Sequence, residues 1–428
     1  MDWYHLLSPD MGKWVTLAVL IVTFTFILYR RFNIAYISLA AAAFLILIGV
    51  TNPADAFLRG VNWDVLAIYW GYGILAIAFR ESKIPAWIAK QVLVRVKREK
   101  YALLFLCILA MVLSSFMANP VVVIMLAPLA IEIATKLKSS LFIYLVALAI
   151  SSNVVTTVTM VADPPALILA GATGMNFLDF YWFQSKISLG TLSIVGVLVA
   201  LLTLLFQFRR LNKQVVIAKE TIKVSFTPLV LFVFSVLALV FIPWKQLSDW
   251  NHPGLVGFLL GVFSLATGRR WAKDMLKEFD WNSIFFLMGI FIVVATTDNV
   301  GLLRDFSTWL GVSSLGSTTV YLAIFIWVSV ALSSFIDNVP YTMLMIPVCA
   351  EVAHTLGVNP FPFYFGMLVG TGIGGNITPV GATANVLACG MLEKRGYKVE
   401  LSKYLALAVP FSISAVIIIH ILLELVWL

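Results

Sequence analysis

Apolar runs of roughly 17 to 25 residues follow one another from Trp14 to Leu428, each the length a helix needs to cross a hydrocarbon core about 30 Å thick. The solvent for most of this chain is therefore lipid. Of 428 residues, 61% are hydrophobic and 12% charged, where a soluble domain carries about a quarter charged; no stretch is left over for a soluble domain. The net charge of +8 does not point to nucleic acid, because Lys and Arg fall in short segments between apolar runs, where they set membrane orientation. Cys107, Cys349 and Cys389 lie inside apolar stretches without CxxC or Cys/His spacing, and read as packing residues rather than a disulfide frame or a zinc site. The N-terminal MDWYHLLSPDMGKW leads into a long apolar run with no A-x-A cleavage site, so no removable signal peptide is expected.

Spans are expected near 14–30, 34–50, 62–79, 141–172, 187–208, 226–242, 253–267, 281–298, 361–392 and 405–427. Two of them, 141–172 and 361–392, would run about 48 Å as straight helices at 1.5 Å per residue, so each should break in the middle. Segments 101–136 and 318–355 each hold two apolar arms around a polar turn, SSFMANPVV and SSFIDNVPY, and read as helical hairpins.

An internal repeat organises these elements. Ser114, Ser115, Phe116, Asn119, Pro128, Glu132 and Ala134 recur as Ser333, Ser334, Phe335, Asn338, Pro347, Glu351 and Ala353, every pair 219 positions apart. Trp63-Asp64 matches Trp281-Asn282, and Gly171 matches Gly390. The expected fold is an all-α polytopic membrane protein of two units, 1–225 and 226–428, each with five spans, one hairpin and one broken helix. An odd number of crossings turns the second unit upside down relative to the first.

Charge supports that inversion. The segment after residue 79 carries Arg80, Lys83, Lys90, Arg95, Lys97, Arg98 and Lys100, whereas its partner, 299–319, carries only Arg304. The first is expected in the cytoplasm and the second outside. Arg30-Arg31, Lys136 and Lys138, Arg209 to Lys223, Arg269 to Lys277 and Lys394 to Lys403 fall on the same expected cytoplasmic side, which leaves both termini outside a cell (inner) membrane. IPAWIAKQVLVRVKR, from Ile84 to Arg98, mixes apolar and basic residues as a helix lying along the interface does.

Chemistry is expected where the long spans break. The first reads SSNVVTTVTMVADPPAL, placing Asn153, Thr156, Thr157 and Thr159 before Asp163, and Pro164-Pro165 forces the break there. The second reads GTGIGGNITPVGATANVLACG, where glycines free the backbone and Asn376, Thr378, Thr383 and Asn385 add oxygens of the kind that sodium-like ions prefer. An ionised Asp in mid-bilayer costs about 3 kcal/mol, so Asp163 and Asp337 stand out. Asp337 sits beside Asn338 in the second hairpin turn, where the first hairpin has Ala118 beside Asn119, so the site should be lopsided. The bland alternatives are an N-cap at Asp163 and an exposed turn at Asp337. Glu132 and Glu351, beside Lys136 and His354, read as interfacial, and Asn52-Pro53-Ala54 lacks the second copy that a water channel needs.

At SSN…ADPPAL, SSFIDNVP and GGNITPVGATANV the sequence resembles the ion transporter superfamily. That group contains arsenite permeases, sodium/proton antiporters of the NhaD type, the melanosomal P protein, and citrate and dicarboxylate carriers. The resemblance spans nearly the whole chain. It implies two re-entrant hairpins whose tips meet two broken helices at a central site, in a homodimer moving by an elevator-like shift. Asn119, Asn153, Asp163, Asp337, Asn338, Asn376 and Asn385 match its site-forming positions. Two departures are Val154-Val155, where relatives commonly have Gly-Gly, and Ala166, where the final Asn of the DPPN motif is expected. The hairpin tips read Ala-Asn-Pro and Asp-Asn-Val rather than the Ser-Asn-Thr of the dicarboxylate branch.

The favoured reading is proton- or sodium-coupled antiport of a cation or small inorganic solute, with Asp163 and Asp337 exchanging protons. Sodium, if it is the coupling ion, would rest at Asn119, Asn153, Asn338 and Asn376, and no other cofactor is expected. The alternative is an anion carrier: an arsenite or oxyanion exporter, or sodium-coupled carboxylate uptake. An intramembrane enzyme finds no support, since HExxH and GxSxG are absent and His5, His252, His354 and His420 are scattered. A passive channel stays open at this stage.

Overall fold

The structure, a computed structural model, describes residues 8–29, 32–215, 223–241, 253–305, 317–335 and 338–428. Asp337 and the Arg30-Arg31 pair lie outside the described residues, as does most of the segment between Lys213 and Lys223.

Helices dominate. In chain order they are α1 (Pro9–Tyr29), α2 (Ile34–Leu47), α3 (Trp63–Glu81), α4 (Ile84–Leu93), α5 (Glu99–Ser114) and α6 (Asn119–Lys136). Next come α7 (Leu141–Asn153), α8 (Pro164–Thr173), α9 (Leu189–Gln207), α10 (Thr227–Phe241), α11 (Pro253–Thr267) and α12 (Ala272–Glu278). The last six are α13 (Trp281–Asn299), α14 (Thr318–Ser333), α15 (Asn338–Leu356), α16 (Phe361–Gly374), α17 (Thr383–Glu393) and α18 (Leu401–Trp427). Among the described residues, six helices are long and apolar enough to cross a membrane singly; Pro53–Gly60 joined to α3 across a 56° bend makes a seventh span. Large apolar side chains such as Leu58, Phe234 and Leu425 face outward, while Thr157, Ser333, Asn376 and Asn385 are buried. That polarity suits a lipid solvent.

Both long spans break. Between α7 and α8 the chain is unwound over 154–163, and between α16 and α17 over 375–382. Asp163 is extended (φ −151°, ψ 150°), as a residue before proline prefers, and Ala382 at the same place in the second break is extended too (φ −138°, ψ 146°). Each unwound segment is tied to its hairpin by the same bond: Thr159 Oγ1 donates to Ser115 O, and Thr378 Oγ1 to Ser334 O, both members of each pair 219 positions apart.

The remaining spans interlock across the halves. Gly254 meets Asp64, Gly257 meets Ile68 and Gly261 meets Trp70, so α11 runs beside α3 in the same direction. Asn33 Nδ2 donates to Asn282 Oδ1 at 3.0 Å and Gly289 lies against Ser38, so α13 runs beside α2 in the same direction. Gly60 lies against Ile292 and Ala295 while Arg80 reaches Glu278, so the two tryptophan-headed helices α3 and α13 run oppositely. Thr203 Oγ1 to Ser414 Oγ (3.1 Å) and Gln207 Nε2 to Leu407 O (3.2 Å) join α9 to α18 in opposite directions.

Basic segments gather at one end. Arg80 pairs with Glu278, the Glu99 N–H donates to Lys213 O at 3.0 Å, Lys213 Nζ donates to Leu137 O and Lys138 O, and Ser225 N–H donates to Ser82 O. The amphipathic stretch at 84–98 is helical over Ile84–Leu93. A departure from the all-α expectation is a small hairpin, Trp182–Phe183 with Lys186–Ile187, whose turn residues Gln184 and Ser185 take positive φ without a glycine to announce them. Asn52 caps a short turn, its Oδ1 accepting from the Ala54 N–H at 2.8 Å, which accounts for Asn-Pro-Ala without a channel.

Small residues let α3 and α11 touch backbone to backbone. A methyl at Gly257 would overlap the Ile68 Cα, whereas one at Gly390 would meet nothing within 4 Å. Gly257→Ala is expected to cost about 1–3 kcal/mol through forced separation of the helices, and Gly390→Ala to be neutral or slightly stabilising. Thermal unfolding in detergent reads both.

Candidate functional site

A cavity of about 220 Å³ lies where the two breaks face each other. Its wall is made by the ends of broken and hairpin helices. Asn119 and Asn338, the first residues of α6 and α15, come from the two hairpins; Asn153 ends α7; Asp163 and Thr383 stand at the starts of α8 and α17. Four helix N-termini therefore converge here, each carrying about half a positive charge. Tyr69 of α3, with Asp280 and Ser283 at the head of α13, closes the remaining side.

Asn153 organises the polar layer behind the cavity. Its Nδ2 donates to Asn376 Oδ1 at 2.9 Å and to Asn385 Oδ1 at 3.0 Å, so both its protons are committed across to the second break. Asn376 Nδ2 donates to Ile150 O, and Asn385 Nδ2 to Gly375 O and Thr378 O, at 3.0–3.1 Å. Tyr404 OH donates to Asn376 O at 3.2 Å. Asn376 thus serves a carbonyl in the last turn of α7 and Asn385 the unwound carbonyls of its own break, while Asn153 holds both amides in place.

Asp163 is half-buried and makes no side-chain hydrogen bond to the backbone of the helix it precedes. Pro164 and Pro165 remove the first two N–H groups of that helix, leaving Ala166 N–H as the one donor at a capping position. Its repeat partner is Ala382, so the site is lopsided here. Ser333 Oγ lies 2.6 Å from both Asn338 Oδ1 and Thr371 O. In the first half the equivalent Ser114 Oγ and Asn119 Oδ1 are buried without hydrogen-bond partners, as is Thr156 Oγ1. These neutral oxygens are hard ligands of the kind a monovalent cation takes. Among the described residues no group of three or more His, Cys, Asp or Glu could hold a metal ion.

The expected site residues thus divide. Asn119, Asn153, Asp163, Asn338 and Thr383 line the cavity. Asn376, Thr378 and Asn385 stand behind it as hydrogen-bonding supports. Thr157 turns elsewhere, its Oγ1 2.8 Å from Ser193 Oγ on α9. Glu132 pairs with Lys136 at 2.6 Å. Tyr69, Asp280 and Ser283 were not anticipated. A signal for Asp280 existed: it precedes Trp281 as Asn62 precedes Trp63, and both residues cap their helices, accepting from the Ser283 and Val65 N–H groups at 3.1 Å.

Residues 19–370 match the model of the CitMHS family, described as citrate transporter. The chain belongs to this family. It is a multi-pass membrane transporter rather than an enzyme, and the superfamily resemblance is shown by that match. Among its relatives, the 46 kDa membrane protein of Mycobacterium leprae is 26% identical over 423 residues, covering 94% of this chain and 96% of that one. The human P protein is 24% identical over 459 residues, covering 88% of this chain and 55% of the longer relative. The fold is similar to that of the Alcanivorax borkumensis YdaH transporter, with a TM-score of 0.59 at 15% identity over 97% of this chain and 98% of that one.

For this CitMHS transporter, Asn153→Ala strands two buried carbonyl oxygens and is expected to cost about 1–3 kcal/mol. Thr383→Ala, at a cavity-lining position whose hydroxyl makes no hydrogen bond among the described residues, should stay within about 0.5 kcal/mol. Thermal unfolding of the two variants side by side checks the assignment of support and lining.

Proposed function

We propose that this protein is a secondary active transporter that exchanges protons or sodium for a small solute by antiport, with Asp163 as the coupling carboxylate. One observation carries the reading: Asp163 and the side chains of Asn119, Asn153 and Asn338 share one cavity between two unwound segments of a chain whose outer surface suits lipid. A cation or proton held there competes with solute for the same carboxylate, and that competition is what antiport requires. Sodium would use the free oxygens of Asn119 and Ser114 together with Asn153 and Asn338, while Asn376 serves as a support of Asn153.

The inverted arrangement of 1–225 and 226–428 belongs to the same proposal, supported by the opposite directions of α3 and α13 and the cross-half pairing of α2 with α13 and α3 with α11. Two inverted units give a site two mirror-related ways of opening, one to each face. Clustering of the basic segments at one end supports a cytoplasmic face there, with both termini outside the cell membrane. The homodimer is carried over from the superfamily.

A second reading, an anion carrier, is favoured by the convergence of four helix N-termini and by the family's description as a citrate transporter. Uptake by proteoliposomes, with citrate, arsenite and a panel of cations offered under imposed sodium and pH gradients, separates the two. A substrate-dependent inward sodium current marks carboxylate uptake, and dissipation of a pH gradient by external cation marks antiport. In either case Asp163→Asn is expected to lower gradient-driven flux by roughly tenfold or more, the worth of a charged hydrogen-bonding partner. Flux indifferent to Asp163→Asn combined with Asp337→Asn would contradict the proposal.

A further inference from the structure

The central cavity has a neighbour toward one end of the molecule. A second cavity of about 290 Å³ shares Tyr69, Ala118, Val121 and Asp163 with it, and extends to the end of the molecule where α3 finishes and α12 meets α13. At that mouth stand Arg80 and Glu278, whose side chains are 25% and 45% exposed. Among the described residues, Arg80 is the one basic side chain lining the two cavities.

The guanidinium is held by two carboxylates from different halves of the chain. Nε and Nη2 donate to Glu81 Oε1 at 3.1 and 2.9 Å, and Nη2 also donates to Glu278. In the register set by Trp63 and Trp281, the counterpart of Arg80 is Asp298, which lines a separate cavity with Asp55 and Arg59 at the other end of these helices. The two mouths thus carry opposite charges at one repeat position. A low-dielectric funnel focuses the field of its rim charges on whatever ion enters, so the balance between Arg80 and its carboxylates sets the sign that ion meets.

We propose that this vestibule is the route by which solute reaches the central cavity from the face where α3 ends, and that Arg80, set against Glu278, is its charge filter. The inference rests on reading the central cavity as the binding site. Removing Arg80 leaves Glu278 and Asp280 to repel anions from the wall; removing Glu278 leaves Arg80 less neutralised and draws anions in. A pair that merely tied α3 to α12 would respond to both losses in the same direction.

The test needs no knowledge of the substrate. Ala118→Cys, at a position on the walls of both cavities, is introduced into the full chain with the three native cysteines replaced by alanine, and reconstituted in liposomes. It is then labelled from each face with an anionic sulfonate and a cationic trimethylammonium methanethiosulfonate. The expected anion-to-cation rate ratio from the α3-end face falls about fivefold with Arg80→Gln and rises comparably with Glu278→Gln, and both shifts shrink at molar salt. Val121→Cys serves as a second reporter where Ala118→Cys does not fold. Equal-direction shifts, unchanged ratios, or labelling only from the opposite face overturn the proposal. Loss of flux in Asp163→Asn is scored separately, so failure of the filter and failure of the binding site are told apart.

Discussion

Backbone unwound inside a membrane is tolerable only if its freed polar groups find partners within the protein, and here Asn376, Asn385 and Tyr404 supply them while one amide holds the asparagines in place. Asn153, the last helical residue before the first break, spends both protons of its Nδ2 on Asn376 and Asn385 of the second. Without that bridge the side-chain oxygens of Asn376 and Asn385 would be buried unsatisfied, at about 1–3 kcal/mol. With it, the segments support each other, and the space between them becomes a polar cavity. The rest of the architecture holds those segments face to face: hairpin turns tied by Thr159 and Thr378, and α2, α3, α11 and α13 crossing on glycines at the flank.

Much of this was legible in residue order. Pro164-Pro165 and the glycines from 372 to 381 forced the breaks, and the 219-residue register anticipated matched hairpins. Which face a side chain takes was harder to read. Asn376, Thr378 and Asn385 have the chemistry of ligands, yet they point into the supporting layer, because an asparagine mid-membrane serves an unwound carbonyl as readily as an ion. Thr157 was drawn to Ser193 by a helix, α9, that its own segment says nothing about. Tyr69 and Asp280 come from spans whose sequences look like lipid-facing packing or helix caps, and only the crossing of α3 and α13 beside the breaks brings them to the cavity.

The repeat pairs the elements around the cavity, and the departures from it make that cavity lopsided. Asp163 faces Ala382 across the register, paired Ser333 and Asn338 face unpaired Ser114 and Asn119, and Arg80 faces Asp298. Asp163 and the unpartnered Asn119 Oδ1 come from the first half and Asp280 from the second, so the two halves bring different polar groups to one cavity.

The central claim is that both breaks form one site. Hydrogen–deuterium exchange of the reconstituted protein with sodium, with citrate and with both tests it most directly. The account predicts that a bound ligand slows exchange in 154–163 and 375–382 together. Protection confined to one break, or appearing only elsewhere in the chain while ligand is bound, would contradict it.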